Sequence, residues 1–472
     1  MSPFTVDTPF GIGLDFSFWQ WLFLELPPME TVRLIFVIIG WAIVGLVFFF
    51  MGAELWVAYK QAKYIAKWQW VVLAVDVPLS IVQTPKAVEQ VFAQLSGAHT
   101  TPNIGQKYWI GKKQKWFSFE VISIGGYIQF LIRTEAEYRD LVEAAIYAQY
   151  SGAEITEVED YVNAIPNAYP DSEQDVFGVE FGLAENEAYP IRVYEEFISK
   201  GFMSKELELG FSDPMAAILE NFSRIGQGEN LWMQIIIEPT DSKWKEKGLA
   251  MVKKMLGQTI AQGSTVISKI GNLPLSMLES SFDALGIRPI SEDADKKDEA
   301  KVLASLTPGQ RGSLEAIEEK ISKIGFKTKM RVLYAARKST YNPSKCIDGF
   351  VGAINQFHAL NHNAIIPRKA TSTHYAFKGI RLGMMKTMFV SAFKNRRMKA
   401  GGPPYIFNIE ELATIWHFPM PTVKTPLLKK AIKQVEPPID LPIGTAAELA
   451  ITQEQESYTK KDEIPPEELP YA

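Results

Sequence analysis

Residues 117–134 read FSFEVISIGGYIQFLIRT. Phe and Ile recur in both halves, and Gly125-Gly126 sits between them. Glycines tolerate the positive φ that a tight hairpin turn needs, so strands are expected at 116–124 and 127–133. Upstream, 71–77 (VVLAVDV) reads as a strand, and Thr84-Pro85 is a cap followed by proline, opening a helix to about Leu95. Downstream, Thr134 caps a helix through Tyr150, Gly152 stops it, and 154–162 reads as a strand. The order β-α-β-β-α-β over 70–165 predicts a ferredoxin-like split β-α-β domain, so the fold class is α+β. That architecture hosts many unrelated functions and names none.

A second α+β domain is expected over 166–365. Strands are read at 176–183, 191–197, 231–238 (LWMQIIIE) and 328–335, and helices at 214–225 behind an Asp213 cap, 241–256, 313–324 and 343–360. Periodicity lapses over 257–309. The run SEDADKKDEAK at 291–301 predicts an exposed charged insertion near 286–309. After Asn361 mostly loop is expected, with short helices around 386–394 and 409–416. Residues 366–442 read as a basic docking segment and 443–472 as a disordered, proline-rich acidic tail.

Toward the N-terminus, 34–53 (LIFVIIGWAIVGLVFFFMGA) carries no charge. Twenty residues at ~1.5 Å each span ~30 Å, the hydrocarbon thickness of a bilayer. A single-pass transmembrane helix is therefore expected, continuing as a juxtamembrane helix over 54–69. The run is too long and too far from Met1 for a cleaved signal peptide. Lys60, Lys63 and Lys67 follow it, whereas Arg33 and four acids (Asp7, Asp15, Glu25, Glu30) precede it. The positive-inside rule then places 1–33 outside and the bulk of the chain in the cytoplasm, at the inner membrane. FSFWQWLFLEL at 16–26 is too short to cross and reads as interfacial.

The chain of 472 residues has a net charge of −5 and one cysteine, Cys346. A basic nucleic-acid coat, an internal disulfide and a Cys-based metal cluster are excluded. The charge is unevenly spread: residues 135–213 carry 19 acids against four bases, and 366–433 carry 13 bases against two acids. The densest basic cluster is FKNRRMKAGGPPY at 393–405, with Lys394, Arg396, Arg397 and Lys399 as candidate contacts to DNA phosphate, anionic lipid or an acidic protein face. Pairing within the chain, to the acidic stretch, is the alternative. Trp416 and Phe418 are candidate partner contacts, or core residues. No phosphate loop, G-x-S-x-G elbow or H-E-x-x-H occurs, so no catalytic residue, cofactor or metal is expected. His358 and His362 have a metal-compatible spacing but no further ligand beside them. Glu157, Glu159 and Asp160 read as structural ion pairs at a strand edge.

Four stretches carry a resemblance: TPKAVEQVF (84–92) with 117–134, YRDLVEAAIYAQYSGAEITEVEDY (138–161), LWMQIIIEP (231–239), and ELATIWHFPMPTVKTPLL (411–428) before VEPPIDLP. Together they resemble the membrane and cytoplasmic region of proteins associated with conjugation-type, type IV secretion-like ATPases. The resemblance covers roughly 70–440, and this sequence has no motor domain. It implies a non-catalytic, membrane-anchored scaffold or adaptor. A motor ATPase would be supplied in trans and would dock on 410–442, with DNA contact through 366–433 and a homo-oligomer both compatible. A membrane-tethered nucleic-acid-binding protein outside any secretion machine is the rival reading.

Overall fold

In the computed structural model, the residues described are 5–7, 13–15, 21, 27–78, 83–197, 213–256, 306–359, 362–373 and 375–420. The diglycine hairpin forms as its sequence dictates. β4 (Phe117–Ile124) and β5 (Tyr127–Glu135) pair antiparallel, and Gly125 and Gly126 take φ of 57° and 95°. Two three-residue strands, β1 (Thr5–Asp7) and β2 (Gly13–Asp15), form a separate ribbon.

The hairpin belongs to one large antiparallel sheet. In chain order its strands are β3 (Trp70–Asp76), β4, β5, β6 (Glu154–Val158), β7 (Gln174–Leu183), β8 (Glu229–Pro239), β9 (Gly325–Arg337), β10 (Ile365–Ala370) and β11 (Tyr405–Asn408). In space they run β10-β7-β9-β8-β4-β5-β3-β6, and β11 pairs with one end of β9. The first four-strand half reads 4-1-3-2 by order of occurrence, and so does the second. The halves meet where β4 pairs with β8. The two expected α+β domains are thus two halves of a single sheet.

The helices sort by face. Along β4, Phe119 and Val121 point one way, and Ser118, Glu120 and Ile122 the other. The first face carries α2 (Pro85–Leu95), α3 (Arg139–Gln149), α4 (Pro214–Ser223), α7 (Pro343–Ile354) and the short α9 (Ile409–Ile415), which packs against α2 and α4. Phe92 of α2 lies 4.7 Å from Phe119, and Phe350 of α7 lies 5.6 Å from Phe181 of β7. The other face is covered by residues 161–170 and α8 (Lys378–Lys394). Val390 and Phe393 bury there against Val72, Leu131, Trp232 and Leu333. Gly178 of β7 is the point where Phe389 of α8 lies on the sheet, and a Cβ there would overlap its ring. α5 (Trp244–Met255) and α6 (Pro308–Ser322) pack on each other through Val252, Leu314, Ile317 and Ile321.

α1 runs unbroken from Pro28 to Ile65, so the expected span and its juxtamembrane extension are one helix of 38 residues. It is long and apolar enough to cross a membrane, and its most apolar window is wholly unburied. Its lower end joins the sheet: Ile65 and Trp68 pack with Trp70, Trp116, Ile236 and Met398.

Several expectations are corrected. Residues 191–197 do not form a strand. Ile191 and Arg192 donate their N–H groups to Glu411 and to the Phe357 carbonyl, and Tyr194–Phe197 is a 3-10 turn. The strand expected over 154–162 ends at Val158, because Asp160 caps a turn at Tyr161–Ala164. Helix 343–360 ends at Ile354. The region after Asn361 is more ordered than its sequence suggests, with β10, β11 and a 17-residue α8. Apart from Trp21, the interfacial segment at 16–26 lies outside the described residues. So do the charged insertion core at 291–301, residues 421–442 and the tail.

Candidate functional site

The candidate basic cluster lies on the α8 face, above the junction of the two halves. Four polar residues line up across four neighbouring strands in direct register: Glu180, Arg331, Gln234 and Glu120. All four are buried. Burying charge is costly unless each group is paired and hydrogen-bonded, and the three charged members are, while Gln234 bonds through Nε2 alone. Arg331 Nε donates to Glu180 at 3.0 Å, and Gln234 Nε2 donates to Glu120 at 3.1 Å.

Residues 392–402 close over this row. Arg396 inserts a fully buried guanidinium that meets Glu120 through two parallel bonds of 3.0 Å, and Asp160 through bonds of 2.6 and 2.8 Å. Its ring neighbour is Tyr161, at 5.5 Å. Arg396 reaches this position with φ of 46°, a region L-residues rarely occupy, so its pairing holds a strained backbone. Arg331 Nη2 donates to the carbonyls of Arg397 and Ala400, at 2.8 and 2.6 Å. Lys329 Nζ donates to Ala400 at 2.7 Å, and Glu180 accepts from the Gly402 N–H. Burial alone would raise the Glu120 carboxyl, but Arg396 outweighs it and holds Glu120 below the usual carboxylate range. Burial lowers Lys329 to about 8, only partly offset by Glu180.

The six candidate residues therefore separate. Arg396 is internal and has no surface to offer DNA, a correction to its reading as a phosphate contact. Lys394 is occupied by the Ile165 carbonyl and Asn167 Oδ1, both at 2.6 Å. Arg397 and Lys399 are exposed. Trp416 and Phe418 are core residues: Trp416 packs 4.8 Å from Phe119 and 5.6 Å from Phe130, and Phe418 lies 5.1 Å from Tyr150. Residues 410–420 thus close their own domain and offer no surface for docking. Two bases of the basic segment pair with the acidic one among the described residues, through Arg396–Asp160 and Lys386–Asp175.

Two buried pairs that periodicity does not reveal lock the end of this region. Lys320 and Glu411 pair at 3.0 Å with both side chains fully buried, and Glu411 also closes a capping box with Asn408. His417 is enclosed by two acceptors, the Ala413 carbonyl at 2.7 Å from Nδ1 and Asp213 Oδ1 at 2.9 Å from Nε2. Burial would raise Asp213, but His417 and the Met420 and Met215 N–H groups outweigh it and hold it low. Asp213 was legible as a helix cap; its grip on residues 417–420 was not, because His417 is 204 residues away.

The other candidate groups stay apart. α7 ends before His358, so His358 and His362 share no helix face. Glu157 binds Arg139 at 2.5 Å and Asp160 binds Arg396, beside an open depression lined by Trp70, Arg133 and Glu159. Glu195, Glu319 and Glu410 approach one another on the helix face, with only Glu410 buried. Chemically, the row and its knot are built to hold a chain segment, with Glu120, Glu180, Arg331 and Arg396 each facing a partner of the same molecule.

No curated protein matches this chain. A family model does match, over residues 94–431, about 70% of the sequence. It covers most of the sheet, the polar row and the segment clamped on it, leaving α1, β3 and most of α2 outside. By that match, the chain belongs to the family described as "Domain of unknown function (DUF8128)".

Proposed function

We propose that this protein is a non-catalytic, membrane-anchored scaffold. The observation that carries the reading is the continuity of α1 with the sheet. One unbroken helix holds an unburied apolar run at its upper end and a tryptophan-rich joint to the sheet at its lower end. Such a joint suits a platform held at a fixed height more than a domain on a flexible tether. Within this reading each half of the sheet is a ferredoxin-like unit, supported by the strand order 4-1-3-2 in both. Inner-membrane placement with the sheet in the cytoplasm is supported by Lys60, Lys63 and Lys67.

The partner surface is α8 rather than residues 410–420, whose side chains are almost all buried. Phe377, Ile380, Met384 and Met388 lie at helical spacing and are each at least 60% exposed, with Arg381 among them. Apolar stripes of this kind mark interaction surfaces. The occupant, a motor ATPase of a type IV secretion-like transfer apparatus supplied in trans, is supported by the sequence resemblance alone.

The test is purification of the detergent-solubilised full chain from its native membrane. Co-purification of an ATPase, lost in Ile380→Asp and Met384→Asp variants that remain folded, is the expected result. Stoichiometric ATP binding or turnover by the chain alone would overturn the scaffold reading.

A further inference from the structure

The connection between α2 and β4 carries an apolar loop that the fold leaves unused. Ile104, Trp109 and Ile110 are 80%, 72% and 57% exposed. The loop is nonetheless built. Asn103 Oδ1 accepts from the Gln106 N–H at 2.8 Å, Gln106–Ile110 makes one π-helical turn, and Gly111 ends it with φ of 77°. No residue of that turn is buried.

The height of the loop is set by α1. Trp56 Nε1 donates to the Tyr108 carbonyl at 2.8 Å, and the Trp56 and Trp109 rings meet edge to face at 6.5 Å. Gly111 presses on the Lys60 and Gln61 backbone, where a Cβ would overlap. The uncharged run of α1 ends at Ala53. Trp56 lies three residues further, about 4.5 Å along the axis. The headgroup layer on each side of the hydrocarbon core is roughly 5–7 Å deep. A loop bonded to Trp56 therefore sits beside the span, at headgroup depth. Lys60 on α1 and Lys107 on the loop bring cations to the same aromatic group, Lys60 Nζ lying 4.7 Å from the Trp56 ring and Lys107 Nζ 5.4 Å from the Tyr108 ring. Tryptophan, tyrosine and isoleucine mixed with lysine is the composition of an interfacial membrane segment.

We propose that residues 104–110 are a second membrane contact, a foot that inserts Ile104, Trp109 and Ile110 into the headgroup boundary of the leaflet that α1 leaves. The inference rests on α1 spanning the bilayer. With two points of attachment, the sheet is held in tilt as well as in height.

The test uses the full chain reconstituted in phosphatidylcholine–phosphatidylglycerol vesicles carrying nitroxide-labelled lipid. An environment-sensitive fluorophore is placed on Trp109→Cys, Val44→Cys or Ser339→Cys. Native Cys346 is buried, and burial pushes its thiol up to about 11, so it competes little for label. Ser339 follows β9 at the sheet end opposite the Trp116 joint, and β4 separates the two ends by about 27 Å. Shallow nitroxide is expected to quench at position 109 at least roughly threefold more than at 339, with deep quenching at 44. Ile110→Cys repeats the measurement without touching the Trp56–Trp109 contact. Quenching at 44 with none at 109 or 110 would overturn the foot and leave the span standing. No quenching at 44 would overturn both.

Discussion

Arg396 is the residue on which the α8 face depends. It satisfies two carboxylates, Glu120 of β4 and Asp160 of the turn after β6, while holding a left-handed backbone. Arg396→Ala would leave Glu120 buried and uncompensated, and a loss of about 3–5 kcal/mol is expected by denaturant titration. Arg397→Ala and Lys399→Ala, both exposed, should each cost under about 0.5 kcal/mol. The same geometry limits any DNA binding by this cluster. Two exposed cations give a log–log salt slope of about −1.8, against about −3.6 if all four reached phosphates. Glu410 offers a pH test. Burial raises it from 4.5 to about 7, against the pull of Lys323. Its neutral form is favoured by folding, so the unfolded chain gives up the proton first. This group's effect on stability therefore worsens as pH rises from about 4.5 through about 7. Glu410→Gln should raise the free energy of unfolding at pH 8 by on the order of 1 kcal/mol, and change little at pH 4.5. Lys323 keeps Glu319 as a partner in that variant.

At the scale of elements, Gly111 sets the joint between the 104–110 loop and α1. Gly111→Val introduces a Cβ into the α1 backbone at a positive φ, and a loss of about 2–4 kcal/mol is expected by thermal unfolding. The strands that carry β-branched runs, 71–77, 117–134, 231–238 and 328–335, were legible because they are buried on both faces and bounded by turn residues. β10 was not legible: Pro367, Arg368 and Lys369 suit an exposed edge and break any alternation. β11 was hidden behind Gly401-Gly402-Pro403-Pro404, which reads as loop. The basic cluster was legible as a cluster, but its chemistry was not. Whether an arginine faces DNA or Glu120 is decided by a partner 276 residues away, and no local pattern records that distance. Trp416 and Phe418 follow the same logic, since an aromatic pair reads alike as an anchor and as core.

For the whole molecule, the β4–β8 pairing makes two topologically equal halves into one cooperative object. Urea unfolding followed by far-UV circular dichroism and by tryptophan fluorescence should give one coincident transition, because Trp232 and Phe119 belong to both halves' cores. Two separated transitions would show that the halves unfold alone. The polar row has a consequence for how the halves find each other. Side chains alternate along a strand, so sliding β8 by one residue against β4 would turn Gln234 toward Phe92 and Phe119 and bring an apolar residue beside Glu120. A one-residue slip strands a polar amide in oil and takes from Glu120 its Gln234 partner. The row is thus a proofreading key for assembly: it contributes little net adhesion, and it makes each wrong mating of the two halves expensive enough to come apart.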